Sequence, residues 1–176
     1  MSVGLDFDVV PSGVEETGAP AEAPGSLVER WAGQKAHSVA HLRPDCWVLG
    51  SDTIVVLEGR VFGKPVDRAD AVSMLRRLSG NVHEVISAVS LVRHDLGFFR
   101  VQSVRTRVFF KEATEREIQA YVRTGEPLDK AGAYGIQGMG VFLVRSITGS
   151  YTNVVGLPLC ETLDLLLEQG IIAPAP

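Results

Sequence analysis

The most informative segment of this chain is Val48-Leu49-Gly50-Ser51-Asp52-Thr53-Ile54-Val55-Val56. A carboxylate follows an apolar run and a Gly-Ser step, and a second apolar run begins directly after it. The pattern predicts a buried strand over residues 46–50 that carries Asp52 at its end. Such a strand end holds an acid at the rim of a sheet, where ligands usually bind in α/β folds.

A turn or helix-capping role is the common alternative for an aspartate that follows a strand. The residues after Asp52 are Thr53-Ile54-Val55-Val56, and they do not begin a helix. We therefore interpret Asp52 as a residue that holds a metal ion or accepts a proton.

Capping residues, breakers and hydrophobic periodicity predict the remaining helices and strands. In chain order they are a short strand at residues 7–10, a helix opened by a capping box at Ser26 and ended at Arg43-Pro44, a hairpin of residues 54–57 and 60–62 turning at Glu58-Gly59, a helix capped by Asp67 and ending at Leu78, strands at 85–93 and 98–110, a helix opened by a capping box at Thr114 and closed at Thr124-Gly125, a strand at 141–146, and a helix at 158–170.

Strands and helices alternate along the chain, but two hairpins interrupt any simple βαβ repeat. We therefore expect one domain over residues 1–176 of the α/β class, α+β-like in character, with a mixed twisted sheet and flanking helices. A chain of 176 residues is long enough to bury one sizeable core.

Composition excludes several classes of function. A net charge of −4 leaves no broad basic face, so nucleic acid is not expected as a partner. No apolar segment reaches the roughly 20 residues of a membrane span, and the N-terminus lacks the pattern of an export signal. We expect a cytoplasmic protein without membrane contact, whose cysteines Cys46 and Cys160 are buried, reduced thiols.

Acids and lysines at separate points of the chain form a candidate site. Glu15 and Asp52 could supply carboxylate oxygens to Mg²⁺, which prefers such ligands and keeps several waters. Lys35 and Lys64 would neutralise charge on a phosphate group. The alternatives are a solvated acidic loop for Glu15, a packed stem with an exposed amine for Lys35, and a surface turn for Lys64.

A second group of polar and glycine residues occupies Gly125-Glu126-Pro127-Leu128-Asp129-Lys130-Ala131-Gly132-Ala133-Tyr134-Gly135-Ile136-Gln137-Gly138. Its glycines would let the backbone approach a ligand closely, and Gln137 could hydrogen-bond a base or a phosphate. The alternative is a structured loop with an internal Asp129–Lys130 charge pair, since the glycine pattern matches no Walker loop. We interpret His83 as structural or exposed, because no second ligand stands at a metal-binding spacing.

Six segments together resemble the Maf-like nucleoside triphosphate pyrophosphatases. They lie in the family's order over nearly the whole chain: residues 9–16 (Val-Val-Pro-Ser-Gly-Val-Glu-Glu), 50–53 (Gly-Ser-Asp-Thr), 63–65 (Gly-Lys-Pro), 75–80, 125–138 and 153–158 (Asn-Val-Val-Gly-Leu-Pro). The resemblance implies hydrolysis of a nucleoside triphosphate to its monophosphate and pyrophosphate, with Mg²⁺ or Mn²⁺ as cofactor. It also implies a mixed α/β structure with two lobes around a cleft, often assembled as a homodimer.

The resemblance gives the charged candidates individual roles. Asp52 looks like the family's proton acceptor, and Glu15 looks like its metal-associated acid, so both would hold the divalent cation. Lys35 and Lys64 are similar to the lysines that contact the substrate's phosphates.

The resemblance also bears on which nucleotide is used. Thr53 and Gln137 look like the family's substrate-discriminating positions. Residues 125–138 resemble the branch that acts on dTTP and UTP, whereas the branch that prefers 7-methyl-GTP typically lacks this form.

The N-terminus departs from the family pattern. Family members begin with a strand that leads into Ser-x-Ser-Pro-Arg-Arg, whose arginines grip the triphosphate, and this sequence begins near the turn that follows. We expect the natural start to lie upstream, because the other candidate residues are all present. The alternative is a catalytically impaired, nucleotide-binding relative with a role in cell division.

Overall fold

A five-stranded sheet forms the centre of the protein, which we describe from a computed structural model over residues 5–16 and 22–173. The strands are β1 (Val48–Leu57), β2 (Arg60–Phe62), β3 (Val82–Arg93), β4 (Phe98–Phe110) and β5 (Val144–Thr148). Their order across the sheet is β2-β1-β3-β4-β5. The α/β class with flanking helices predicted from the sequence is confirmed, and all neighbouring pairs of described strands are antiparallel where mixed pairing was the expectation.

Helices cover both faces of this sheet. Helix α1 (Pro24–Ala40) lies on one face against β1, β3 and β4. The opposite face carries the remaining helices, which are α2 (Arg68–Leu78), α3 (Glu115–Arg123), α4 (Tyr151–Val155), α5 (Leu159–Glu168) and three short 3-10 helices at Glu126–Asp129, Ala131–Ala133 and Met139–Leu143. Among the described residues, none of these helices has both the length and the apolar character that crossing a membrane requires.

Strand alternation sends buried side chains to both faces of the sheet, where separate hydrophobic clusters form. Successive side chains of a strand point to opposite faces, so neighbouring residues of β3 enter different cores. Ile86 packs with Trp31 and Ile54 beneath α1, whereas Val85 packs with Leu75 on the side of α2 and α3. Because the sheet is covered on both faces here, residues 85–92 of β3 are all buried.

Helix α1 lies unusually close to β1 because Gly50 has no side chain. A Cβ at Gly50 would lie 2.6 Å from the carbonyl oxygen of Ala32 and 2.8 Å from the amide nitrogen of Ala36. Both are backbone atoms of α1, so they cannot move aside independently of the helix. The glycine therefore fixes the distance between the helix and the strand.

The expectation that a strand ends before Asp52 is wrong. Strand β1 runs without a break from Val48 to Leu57, and Asp52 lies near its middle, opposite Ala88 of β3. Strand β2 pairs with β1 only at residues 55–57. On that side, residues 48–54 have no neighbouring strand in the described part of the chain, so Asp52 lies beside a free strand edge instead of at a strand end.

A buried asparagine fixes α4 to the sheet. The side chain of Asn153 accepts a hydrogen bond from the amide of Ser87 at 3.1 Å and donates to the carbonyl oxygen of Val85 at 3.0 Å. It also donates to the hydroxyl of Thr106 on β4 at 2.9 Å. These bonds place Gly156, which ends α4, against the middle of β1.

Several signals read from the sequence are confirmed. Asp67 caps α2 by accepting a hydrogen bond from the amide of Asp70 at 2.8 Å. Thr114 and Glu117 form the expected capping box at the start of α3. The turn Glu58-Gly59 joins β1 to β2.

Other local expectations are wrong. Residues 7–10 form no strand and are exposed, because no described strand lies beside them. Helix α1 begins at Pro24, whose fixed backbone angle suits a first turn, and not at Ser26, and it ends at Ala40 before Arg43-Pro44. Strand β5 begins three residues later than expected because the preceding residues coil into a 3-10 helix, and both Cys46 and Cys160 are exposed.

The close approach at Gly50 is testable by adding one methyl group. We expect Gly50→Ala to lower the free energy of unfolding by about 1–3 kcal/mol, since the methyl group would overlap backbone atoms of α1. Urea unfolding measures this change.

The matched control is Gly33→Ala in α1 itself. A Cβ there would lie 3.5 Å from the ring of Phe99, an ordinary contact. It should leave stability unchanged or raise it by up to about 1 kcal/mol, because alanine favours the helix. Equal losses in both variants would show that Gly50 does not set the spacing.

Candidate active site

An ion-pair network joins α1, β1 and the N-terminal segment. Lys35 Nζ donates hydrogen bonds to Asp52 Oδ1 at 2.8 Å and to Glu16 Oε1 at 2.7 Å. Lys35 precedes Ala36, which lies over Gly50, and Gly50 and Asp52 share one face of β1. The close approach at Gly50 therefore also brings the ammonium of Lys35 onto Asp52.

The carboxylate of Asp52 is only half satisfied. Its side chain is 10% exposed, and its Oδ2 atom is buried without a hydrogen-bond partner among the described residues. Burial raises the pKa of Asp52, and the hydrogen bond from Lys35 offsets only part of this effect. A carboxylate with a raised pKa and a free oxygen accepts a proton more readily than an exposed aspartate does.

Burial has the opposite effect on the pKa of Lys35 from its effect on the pKa of Asp52. Burial lowers the pKa of Lys35, but the hydrogen bonds to Asp52 and Glu16 outweigh it, and the pKa lies above its ordinary value. The lysine therefore stays protonated at neutral pH. The pKa of Asp52 is raised because burial outweighs its bond to Lys35, whereas the pKa of Lys35 is raised because its hydrogen bonds outweigh burial.

A cleft of about 410 Å³ lies along the free edge of β1. Four of the residues predicted from the sequence line it: Asp52, Thr53, Lys64 and Gln137. Lys35 is joined to the cleft through its bond to Asp52. The structure thus brings five of the six predicted site residues to one region.

The cleft has two further charged residues in its wall, Asp129 and Lys130. Their side chains form an ion pair at 2.8 Å, so the internal charge pair expected from the sequence is confirmed. The hydrogen bond from Lys130 lowers the pKa of Asp129, and the charge of Lys64 adds to this effect. Sequence reasoning did not assign this pair to the site, because adjacent opposite charges in a loop usually balance each other in solvent.

Thr53 is already engaged in hydrogen bonds within the protein. Its Oγ1 lies 2.8 Å from Ser87 Oγ and 3.2 Å from the carbonyl oxygen of Gly156. The hydroxyl of Ser87 donates to the carbonyl of Asn153 at 2.9 Å, so Thr53 donates its one proton to Ser87 or to Gly156. Towards a ligand, the Thr53 hydroxyl can therefore act only as an acceptor.

Glu15 and Glu16 differ in their surroundings. Glu15 is exposed and forms no hydrogen bond or ion pair with another described residue, so the metal-binding role expected of it stays a prediction. Its neighbour Glu16 shares Lys35 with Asp52. The sequence could not separate these adjacent acids, because they lie in an irregular segment without periodicity.

The carboxylates of Asp52 and Glu16 are the candidate ligands for a divalent cation in this region. Asp52 and Glu16 bracket a single ammonium, and Asp52 has an unused oxygen. Mg²⁺ is commonly held by one or two carboxylates together with the phosphates of a substrate. In residues 5–16 and 22–173 there is no cluster of three or more metal-ligating side chains. The residues therefore fit a cation that arrives with a phosphate substrate.

His83 is structural, as one of the two sequence-based interpretations has it. It is buried beneath the cleft, where its Nε2 lies 2.8 Å from the hydroxyl of Tyr134. Burial lowers the pKa of His83 to about 4, so the ring is neutral at pH 7. Tyr134 lines the cleft, and the histidine supports it from below.

Comparison with known proteins gives concordant results. The model of the Maf-like protein family matches residues 1–169. The chain is 49% identical over 168 residues to a protein of Syntrophus aciditrophicus (strain SB) named dTTP/UTP pyrophosphatase, covering 96% of this chain and 82% of the relative. Proteins of the same name from Desulfotalea psychrophila and Geobacter sulfurreducens are 46% and 48% identical over 171 residues, 97% of this chain, and 88% and 90% of theirs.

The raised pKa of Asp52 has a consequence for stability. The folded protein holds this proton to a higher pH than the unfolded chain, whose aspartate has an ordinary pKa of 3.8. The contribution of Asp52 to the free energy of unfolding therefore falls as the pH rises above this value, and it stays lowered at neutral pH. We expect Asp52→Asn to be at least as stable as wild type at pH 7 in urea unfolding, with the difference vanishing in acid.

Asp95→Asn is the control with the opposite sign. Arg93 lowers the pKa of Asp95, so its carboxylate stabilises the fold above its ordinary pKa and loses this effect as the pH falls. Asp95→Asn should therefore be slightly less stable than wild type at neutral pH. An Asp52→Asn protein that is clearly less stable than wild type at pH 7 would contradict the account of Asp52.

Proposed function

This chain belongs to the Maf-like protein family, and we propose on that basis that it is a pyrophosphatase of nucleoside triphosphates, acting on dTTP and UTP. The observation that carries the proposal is the half-satisfied carboxylate of Asp52 beside a cleft lined by lysines. Relatives that are nearly half identical over almost the whole chain bear the name of this activity.

The proposed reaction transfers a nucleotidyl group to water. Water attacks the α-phosphorus, and the bond between that phosphorus and the oxygen bridging to the β-phosphate breaks. The nucleoside monophosphate and pyrophosphate are released. Asp52 accepts the proton that the water loses, because its Oδ2 atom is free and its pKa is raised by burial.

The lysines stabilise negative charge in this scheme. Lys35 holds Asp52 in place and offsets its charge, and Lys64 and Lys130 in the cleft wall face the phosphates. A divalent cation, Mg²⁺ or Mn²⁺, would neutralise phosphate charge between the substrate and the carboxylates of Asp52 and Glu16. The homodimer implied by the resemblance and the cytoplasmic location stay predictions.

A nucleotide-binding protein with weak catalysis is the second candidate. One observation favours it: among the described residues that line the cleft, the cations are Lys64 and Lys130, and Lys130 is paired with Asp129. Fewer free cations would leave more of the triphosphate charge uncompensated in the transition state. This candidate predicts nucleotide binding, measured by calorimetry, without release of pyrophosphate.

The proposed function is tested by product analysis. The purified protein with Mg²⁺ should convert dTTP and UTP to their monophosphates with release of one pyrophosphate, and a chelator should stop the reaction. Asp52→Asn should lower turnover by about 10²–10⁴-fold while the protein stays folded, because it removes the general base.

Asp45→Asn, an exposed aspartate outside the cleft, is the matched control and should retain full activity. Release of orthophosphate instead of pyrophosphate would exclude the proposed reaction. An Asp52→Asn protein with wild-type turnover would exclude the role of Asp52.

The assignment of the second metal-associated acid is tested by a matched pair. We propose that Glu16 competes with Glu15 for this role, because Glu16 shares Lys35 with Asp52. Glu16→Gln should raise the Mg²⁺ concentration needed for half-maximal activity by about tenfold or more. Glu15→Gln should change it less. The reverse order would assign the role to Glu15.

A further inference from the structure

A second groove lies between helices α2 and α3, outside the cleft. It has a volume of about 340 Å³ and shares no lining residue with the cleft. Its charged lining residues are the arginines Arg68, Arg76 and Arg123, and no aspartate or glutamate of the described residues lines it. The chain as a whole carries a net charge of −4. The groove, which we call the arginine groove, therefore has a charge opposite to that of the protein.

The two helices run antiparallel, and their two ends differ in charge. Arg76, in the last turn of α2, pairs with Glu115 at the start of α3. At the opposite end, Arg68 at the start of α2 and Arg123 at the end of α3 both line the groove. One end is thus closed by an ion pair, whereas the other end holds two like charges.

Glu115 shows how an anion is bound at the closed end of the arginine groove. Two nitrogens of Arg76 donate to its two oxygens, Nε to Oε2 at 2.8 Å and Nη2 to Oε1 at 2.6 Å. Gln119, which lines the groove, donates to Oε1 at 2.8 Å. These bonds lower the pKa of Glu115 to about 2, so the carboxylate is ionised at neutral pH. A guanidinium has several N–H groups, so Arg76 keeps donors that this pair does not use.

The two arginines at the open end have no such partner. The side chains of Arg68 and Arg123 form no hydrogen bond or ion pair with another described residue. Asp67 and Asp70, the acids closest in sequence to Arg68, accept hydrogen bonds from backbone amides and do not line the groove. Arg123 lies at the negative end of the α3 dipole, but Arg68 lies at the positive end of the α2 dipole. The positive charge at this end is therefore not balanced by a described carboxylate.

The floor of the arginine groove is apolar. Val72 of α2 and Val122 of α3 line it and are 7% and 3% exposed. Such a floor keeps water from one side of a bound ligand, and attraction between charges is stronger there than in open solvent. A groove of this volume is large enough for a small molecule. The arrangement suits a small anion that carries more than one charge.

The positions of the arginines favour phosphate over carboxylate. A carboxylate presents two oxygens in one plane, and Arg76 already binds one such group, that of Glu115. Arg68, Arg123 and the remaining donors of Arg76 face the groove from three positions on two helices. The tetrahedral oxygens of a phosphate accept hydrogen bonds from several directions, and guanidinium groups bind them in pairs. Two linked phosphates carry enough charge to match both unpaired guanidinium groups.

We propose that the arginine groove is a second anion-binding site, which takes a diphosphate group, either free as pyrophosphate or attached to a nucleoside. Arg68 and Arg123 bind its charge, Arg76 donates from the side, and Val72 and Val122 form the floor. The site lies outside the cleft, so it does not depend on the proposed function.

Binding is located by two-dimensional nuclear magnetic resonance of the nitrogen-15-labelled protein. Pyrophosphate is added with a chelator at about 0.15 M salt, which screens non-specific attraction. The amide signals of Ala69, Val72, Gln119 and Val122, which line the groove, should shift together with a dissociation constant of about 1 mM or lower. Signals of cleft residues report any binding there separately.

Uridine diphosphate in a second titration distinguishes the two sources of the diphosphate group. Tighter binding of uridine diphosphate in the arginine groove would identify a nucleotide as the ligand. Tighter binding of pyrophosphate would identify the free anion.

Charge removal tests the two unpaired arginines. Arg68→Gln and Arg123→Gln should each raise the dissociation constant for pyrophosphate by about tenfold or more, because each removes charge-assisted hydrogen bonds. Arg77→Gln, an exposed arginine of α2 outside the groove, is the matched control and should bind pyrophosphate as the wild type does.

Thermal unfolding separates a binding role from a structural one. Without the anion, Arg68→Gln should unfold at the wild-type temperature or above it, because it removes the repulsion from Arg123. Pyrophosphate should raise the unfolding temperature of the wild type more than that of Arg68→Gln. A lower unfolding temperature of Arg68→Gln without the anion, with unchanged binding, would show that the arginine is structural.

Three further outcomes would overturn the proposal: shifts confined to the cleft, equal weakening by Arg77→Gln, or equal affinity for succinate, a dicarboxylate. Tighter binding of a glutamate-rich peptide than of pyrophosphate would assign the arginine groove to a protein partner and would also reject the diphosphate.

Discussion

The contact between helix α1 and strand β1 at Gly50 is the constraint on which the site depends. It allows Lys35 to reach Asp52 in the middle of a strand, where water is largely excluded. A charge in that position is unfavourable unless it is paired, and Lys35 satisfies only one of the two carboxylate oxygens. The fold therefore keeps a carboxylate that is ionised less readily than an exposed one and that retains an oxygen without a hydrogen-bond partner among the described residues. This half-paired state is the physical basis of the proposed proton transfer.

The alternation of side chains along β1 sends Asp52 and its two neighbours to opposite faces of the sheet. Asp52 points towards α1 and its lysine, whereas the flanking residues Ser51 and Thr53 point to the other face and contact Gly156 after α4. Since consecutive residues of a strand are about 3.3 Å apart, β1 presents both kinds of group at one point of its free edge. Residues 135–138 line the same cleft. Strand β1 thus contacts both layers of helices, α1 on one face of the sheet and α2 to α5 on the other.

The sequence predicts local features well and distant pairing poorly. The caps at Asp67 and Thr114 depend on neighbouring residues and are confirmed. Gly50-Ser51 looks like a strand ending, yet β3 pairs with both residues and keeps the strand continuous, a contact between segments nearly forty residues apart. The choice between Glu15 and Glu16 depends on which acid reaches Lys35, and Cys46 and Cys160 are exposed where composition favoured burial. In each case the deciding information is a contact that only the folded chain contains.

The central claim is that burial of the half-paired Asp52 carboxylate makes it a stronger base than an ordinary aspartate. Carbon-13 nuclear magnetic resonance of the carboxyl groups during a pH titration, with the Asp52 signal assigned by its loss in Asp52→Asn, measures this pKa directly. We expect a pKa for Asp52 above the ordinary value of 3.8. A pKa at or below that value would show that the ion pair with Lys35 dominates and would contradict the account.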